Sequence, residues 1–311
     1  VSSRYAELQV TSHFSFLRGA SSCEELFAHA ANLGISALAI ADRNSLAGIV
    51  RAHEAAKVTG VRLIVGCRLD LADGMSVLVY PTDRPAYSRL CRLLSVGKKR
   101  GGKAKCILNW DDLVDWSEGL IAVLVPDTAD DGCALRLRRL RDTFGDCAYM
   151  ALTLRRRPND QMRIHELNNL AQRFRMATVV TNDVLFHEPA RRILQDVVTC
   201  IRHNVTIDEA GFRRERHADR YLKPAEEMAR LFSRYPEAVA RTMEIAARCT
   251  FNMDELAYQY PEERTMPGLT PQQALEKLTW EGAVERYPEG LPDEVRPKLE
   301  HELRLIERLQ Y

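Results

Sequence analysis

The chain has 311 residues, 46% of them hydrophobic, which is enough for one large domain with an appendage and more than one core usually organises. Its 44 basic and 43 acidic residues leave a net charge of +1, which excludes a global field that would pull the chain onto nucleic acid; any such contact needs a local patch. No apolar run approaches the roughly 18 residues of a membrane span, and Val1-Ser2-Ser3-Arg4-Tyr5 lacks a secretory apolar region, so the chain reads as cytoplasmic. The eight cysteines are scattered with no Cys-x-x-Cys among them, the distribution of reduced thiols rather than of a disulfide framework or zinc ribbon.

The first half alternates between strand and helix. Leu8 and Val10 form an apolar alternation that runs into small polar residues and Gly19, as a buried strand does where it ends in a loop. Ser21-Ser22 with Glu24 and Glu25 starts a helix that Gly34 stops. Ala37 to Ile40 is a short apolar strand delivering Asp42 to a loop, Ser45 to Lys57 the next helix, and Val61 to Cys67 a third strand. This order, with connections of a few residues, predicts a parallel sheet or barrel. Strand ends are where such folds keep their chemistry.

Met75 to Tyr80 reads as a strand and Ala86 to Val96 as a helix with a Leu90, Leu93, Leu94 face. Gly97 to Lys105 then concentrates Lys98, Lys99, Arg100, Lys103 and Lys105 among three glycines. Glycine entropy and like charges suit a solvated flexible loop; the same cations suit a loop that contacts DNA phosphates. Ile107 to Trp116 is a connector, Leu120 to Val125 a strand, Ala134 to Phe144 a basic helix, Tyr149 to Leu154 a strand, Gln161 to Phe174 a helix and Thr178 to Asp183 the last strand.

Beyond Asp183 the pattern is helix and loop. Pro189 to Arg202 carries an amphipathic run (Ile193, Leu194, Val197, Val198, Ile201); His217 to Pro224 leads into a helix to Phe232, and Pro236 starts another that reaches Cys249. From about residue 256, Tyr258-Gln259-Tyr260-Pro261 and a Pro267-Gly268 turn precede helices at Pro271–Glu285 and Val295–Tyr311, the latter with an apolar face of Leu299, Leu303, Ile306 and Leu309.

The stretch Leu8 to Ala20, with Ile40 to Ser45 and Thr181-Asn182-Asp183-Val184-Leu185, resembles the polymerase and histidinol phosphatase (PHP) domain that opens bacterial C-family DNA polymerases, most closely in their error-prone, translesion branch. The resemblance covers essentially the whole chain. It implies an α/β fold, a PHP-type distorted (β/α)7 barrel over residues 1–255, followed by a helical extension at 256–311 that is the beginning of a palm domain, so that the sequence reads as a fragment of a longer polymerase.

The resemblance also implies metal ligands at strand ends, and there the sequence departs from it. Gln9 and Thr11 stand at the His-x-His positions, Arg18 at an acidic position, Arg43 and Leu185 at histidines, Arg68 at a glutamate and Ser76 near a further histidine; of the ligand set Asp183 keeps a ligand side chain. Imidazole and carboxylate offer lone pairs to a metal, whereas a guanidinium offers none and brings a like charge. The expectation is therefore no catalytic residue, no resident metal and no cofactor in these residues, with Mg in the full-length polymerase. Residues 256–311 contain no Asp-x-Asp for two-metal nucleotidyl transfer.

The implied role is a catalytically silent scaffold in a DNA-directed polymerase used in translesion synthesis and repair. Its implied partners are DNA, the other polymerase domains, and a sliding clamp and accessory damage-tolerance proteins. An active metal-dependent PHP phosphoesterase or 3′-exonuclease and a free-standing adaptor are the alternatives. Arg18, Arg43 and Arg68 lie at strand ends expected to converge on Asp183, so one or more should pair with it; otherwise they face solvent and Asp183 caps backbone amides.

Overall fold

A computed structural model describes residues 4–256 and 266–309, which divide into two compact units at Glu255 and Leu256. In the first unit the strands are β1 (Ala6–Val10), β2 (Ala37–Arg43), β3 (Arg62–Asp70), β4 (Ser76–Pro81), β5 (Leu120–Leu124), β6 (Ala148–Thr153) and β7 (Ala177–Thr181), hydrogen-bonded in that order in one seven-stranded sheet.

The helices of the same unit are α1 (Cys23–Asn32), α2 (Ile49–Thr59), α3 (Arg84–Gly101), α4 (Trp110–Asp115), α5 (Asp131–Phe144), α6 (Asp160–Arg173), α7 (Arg192–His203), α8 (Ala225–Leu231) and α9 (Pro236–Arg248). Where the sequence reading leaves Ile107 to Trp116 a connector, α4 forms, opened by a reciprocal Asn109–Asp112 capping box.

All neighbouring strands are parallel except β4, which runs against both β3 and β5. The cause is the length of the β3–β4 connection: the chain turns at Leu71–Met75, with Leu71 N donating to Met75 O at 2.8 Å, and a turn that short can join only antiparallel strands. The first residue of β4, Ser76, therefore lies at the same end of the sheet as the last residues of the other strands.

The sheet nearly closes on itself. Asp183 adopts φ 49°, a left-handed conformation that Asp enters more readily than most residues, and turns the chain after β7 across the end of β1. Val184 N then donates to Gln9 O at 2.8 Å, and Thr11 N to Val184 O at 2.9 Å.

Side chains from all seven strands meet in one buried cluster that includes Leu8, Ala39, Ile64, Tyr80, Val123, Tyr149 and Val179, together with Ile245 and Ala246 of α9 and Cys249 just after it. Small alanines on β1 and β2 leave room for the two tyrosines, and Tyr80 Oη donates to Leu8 O at 2.6 Å. The outer faces of the strands pack on α1 and α2 in one cluster and on α3, α5 and α6 in another. Helix α9 lies at the strands' N-terminal ends, where Thr242 Oγ1 accepts from Ala6 N at 3.3 Å. The opposite end is left to polar groups.

A second segment also departs from its sequence reading. Helix α3 continues through Gly101 instead of ending near Val96, so Lys98, Lys99 and Arg100 form its last turn and only Lys103 and Lys105 lie beyond it. Gly97 permits this: a Cβ there would lie 2.7 Å from Cys106 Sγ and Leu108 Cδ2, so the missing side chain admits the returning strand of chain. Cations in a last turn also complement the helix dipole. In α7 the apolar stripe faces outward, with Ile193 76% and Ile201 59% exposed, while Gln195, Asp196, Thr199 and Cys200 are buried.

The second unit contains α10 (Pro271–Arg286), capped by Thr270 with Gln273 in a capping box, and α11 (Val295–Leu309). On α11 Leu303 is buried, Leu299 and Ile306 are half-buried and Leu309 is exposed. The Tyr258 to Pro261 segment lies outside the described residues.

Candidate functional site

The C-terminal mouth of the barrel is organised around Asp183, which is buried and hydrogen-bonded on both oxygens. Arg220 Nη2 lies 2.6 Å from Oδ2, and Gln9 Nε2 donates to Oδ1 at 2.8 Å. Arg68 Nη1 approaches Oδ1 at 3.4 Å, and Arg220 Nε donates to the backbone carbonyl of Asp183 at 2.8 Å. Arg220 is itself held by Glu215 Oε1 at 2.6 Å. Burial alone would push the Asp183 carboxyl up; Arg220, then Arg68, Arg155 and Arg43, outweigh it and hold the carboxyl well below the usual carboxylate range.

A second ion cluster adjoins the first through Arg68. Its Nε donates to Ser76 Oγ at 2.8 Å and lies 3.3 Å from Asp70 Oδ1, while Ser76 Oγ donates to Asp70 Oδ1 at 2.9 Å. Arg43 Nη1 completes the cluster at 2.5 Å from Asp70 Oδ2. Arg43, Arg68 and Ser76, all at positions where the resemblance implies metal ligands, are thus joined through one carboxylate. Asp70 lies two residues after Arg68 on β3, on the same side of the strand, a period-two signal that the sequence carried.

Arg18 is not part of either cluster. It is half-buried, and among the described residues it makes no ion pair with Asp183 or Asp70; burial and the neighbouring Arg202 both disfavour its charged form. Asp42 also stands apart from Asp183: its oxygens accept from Ser12 N at 2.8 Å, Ser12 Oγ at 2.7 Å and Ser15 Oγ at 2.7 Å, which clamps the loop after β1. Burial pushes the Asp42 carboxyl up against those hydrogen bonds. Thr11 is buried with its backbone in the β1 closure, and Leu185 packs with Ala20 and Phe186 in a small apolar cluster.

The residues at this mouth do not fit a divalent metal. A catalytic site of that kind needs about three protein ligands with an open position, and among the described residues no three His, Cys, Asp or Glu side chains come together to hold one. Guanidiniums occupy the space beside the one central carboxylate. His13 and His187 are turned to Ser21, through its carbonyl at 3.2 Å and its hydroxyl at 2.8 Å.

The basic turn at the end of α3 is distinct from this mouth in its chemistry. Arg100 is engaged with Asp112 in a bidentate pair at 2.5 and 2.8 Å and donates to Ile107 O at 3.0 Å. Lys98, Lys99, Lys103 and Lys105 make no ion pair among the described residues and are exposed.

Polar groups gathered at the C-terminal ends of strands in a nearly closed α/β barrel define the class. Within it, the PHP domain model matches residues 7–175, more than half the chain, and the chain belongs to the PHP domain family. Error-prone DNA polymerase 1 of Agrobacterium fabrum is 71% identical over 308 residues, covering 99% of this chain and 28% of that protein. Error-prone DNA polymerase 2 of Rhizobium meliloti is 67% identical over 308 residues with the same coverage, and the error-prone DNA polymerase of Caulobacter vibrioides is 48% identical over 309. The chain therefore spans a little over a quarter of the length of these relatives. No helix among the described residues is long and apolar enough to cross a membrane.

Proposed function

We propose that this chain is the PHP region of an error-prone DNA polymerase, in which the barrel is a catalytically silent scaffold and residues 256–311 begin the palm. The full-length protein would synthesise DNA on a template, past damage and in repair, in the cytoplasm with Mg2+ as its metal. Its partners would be DNA, its own further domains, and a sliding clamp with accessory damage-tolerance proteins.

The observation that carries the silent scaffold is the cage around Asp183. Arg220 and Arg68 supply the positive charge that a metal would otherwise supply, and they are covalently part of the chain. Among the described residues no ligand set would hold the metal that activates a water, the nucleophile of a phosphoesterase.

Elemental analysis of the purified chain, together with hydrolysis assays on nucleoside monophosphates and labelled primer in each divalent metal, tests this. The expected result is no stoichiometric metal and no turnover. An equivalent of bound transition metal, with activity lost in Asp183→Asn, would overturn it.

A further inference from the structure

Beside the Asp183 cage, residues 153–158, 212–217, 219 and 220 wall a cavity of about 530 Å3. Nine arginines line it against three carboxylates, Asp183, Glu215 and Asp219. Arg43, Arg68 and Arg220 belong to the ion clusters already described, and Arg156 lies 2.7 Å from Asp219.

Arg157 is paired with Asp127 at 2.9 Å, and the remaining guanidiniums are less committed. Arg213 and Arg216 are exposed and make no ion pair among the described residues. Arg214 reaches Asp196 only at 3.9 Å, and its buried Nε has no acceptor. Arg155 pairs with Asp127, yet its own Nε is likewise buried without an acceptor. Buried donors without partners are costly, and phosphate oxygens are the acceptors that best match a planar guanidinium.

The rim supplies a second, independent feature. Phe212 is 90% exposed, and the Arg216 guanidinium carbon lies 5.2 Å from the centre of its ring. An aromatic face held out among arginines suits an unpaired base stacked between phosphate contacts, the combination that binds single strands without reading sequence.

We propose that single-stranded DNA crosses this mouth, with phosphates on Arg213, Arg214 and Arg216 and a base on Phe212. The choice of a nucleic acid over free phosphate rests on the polymerase reading; the exposed aromatic supports it separately.

The test is fluorescence anisotropy of a labelled oligothymidylate with the 311-residue chain over a salt series, with inorganic phosphate and the matching duplex as competitors. Phe212→Ala should weaken binding about tenfold or more, the effect of losing one stacked base. Arg213→Ser with Arg216→Ser should flatten the log–log salt slope by about 0.7 for each phosphate no longer neutralised. Circular dichroism checks that these surface variants remain folded. The duplex should compete poorly because its bases are already stacked.

Unchanged affinity and slope in all three substitutions overturn the proposal. So does binding that Phe212→Ala leaves intact and inorganic phosphate displaces, which would make the cavity a plain anion site. Either result leaves the polymerase reading standing, since that is judged by primer extension with the full-length protein.

Discussion

Arg220 grips Asp183 twice, by Nη2 to the carboxylate at 2.6 Å and by Nε to the backbone carbonyl at 2.8 Å. The two groups are 37 residues apart, and the second contact fixes the left-handed turn that carries the chain from β7 to β1. One side chain thereby neutralises the central carboxylate and holds the closure of the barrel.

Arg220→Ala should therefore destabilise the chain by about 3 kcal/mol in urea unfolding, because it strands a buried carboxylate. Arg68→Ala should cost less, about 1–2 kcal/mol, since its contact with Asp183 is 3.4 Å and Arg220 remains there, while Arg43 and Ser76 stay on Asp70. Asp183→Asn should recover part of the loss in the Arg220→Ala background by removing the stranded charge. Equal losses from both arginines, with no recovery, would contradict this division of roles.

The pH dependence should have two opposite limbs. Asp183 is held below its ordinary value, so its contribution to stability is full above that value and is lost as pH falls below it. Glu7, 1% exposed, accepts from Tyr5 Oη at 2.7 Å and Gln9 N at 3.0 Å, and burial pushes its carboxyl up to about 7 against these bonds and Lys223. The folded chain then keeps a proton that the unfolded chain releases, so stability should decline as pH rises from the ordinary glutamate value to about 7. Glu7→Gln should abolish that decline in unfolding measured across the window.

Gly19 should tolerate no side chain. A Cβ there would lie 2.2 Å from Ser12 O and 2.7 Å from Thr11 O, both backbone atoms of the loop that Asp42 clamps. Gly19→Ala should cost about 2–3 kcal/mol as an overpacked site, read as a lowered unfolding midpoint, whereas Gly34→Ala has open space and only a positive φ to accommodate.

At the end of α3, the four lysines and Arg100 should behave differently. Replacing Lys98, Lys99, Lys103 and Lys105 with Ser in the full-length protein should reduce the salt slope of duplex binding by about 0.9 for each phosphate that the lysines had neutralised. Arg100→Ser should leave the slope unchanged because Asp112 already occupies its guanidinium. An unchanged slope in the lysine variant would assign the segment to solvent alone.

The strand–helix alternation was legible because each buried strand is a short apolar run bounded by polar or glycine residues, as in Ala37–Ile40 and Leu120–Leu124. The reversed direction of β4 follows from the length of one turn, a smaller signal than the apolar runs around it. At the end of α3, Gly97 and the mutual repulsion of the clustered cations argue for a loop; close packing of Leu108 over Gly97 overrides both.

At the mouth, Asp183 and Arg68 were legible as strand-end residues, whereas Arg220 was not. It arrives from an irregular loop with no periodicity, and only the folded chain brings it to Asp183. Arg18 shows the converse: its position beside β1 pointed to the same carboxylate, but the turn at Ser15 to Arg18 leaves it outside both ion clusters.

The most direct measurement of the cage is an NMR pH titration of the Asp183 side-chain carboxyl carbon, assigned by its loss in Asp183→Asn. With Arg220 and Arg68 in place the carboxyl should remain ionised through the whole range in which ordinary aspartates protonate, and its signal should shift into that range in Arg220→Ala. A wild-type Asp183 that titrates at the ordinary aspartate value or above would show that the arginines do not hold it.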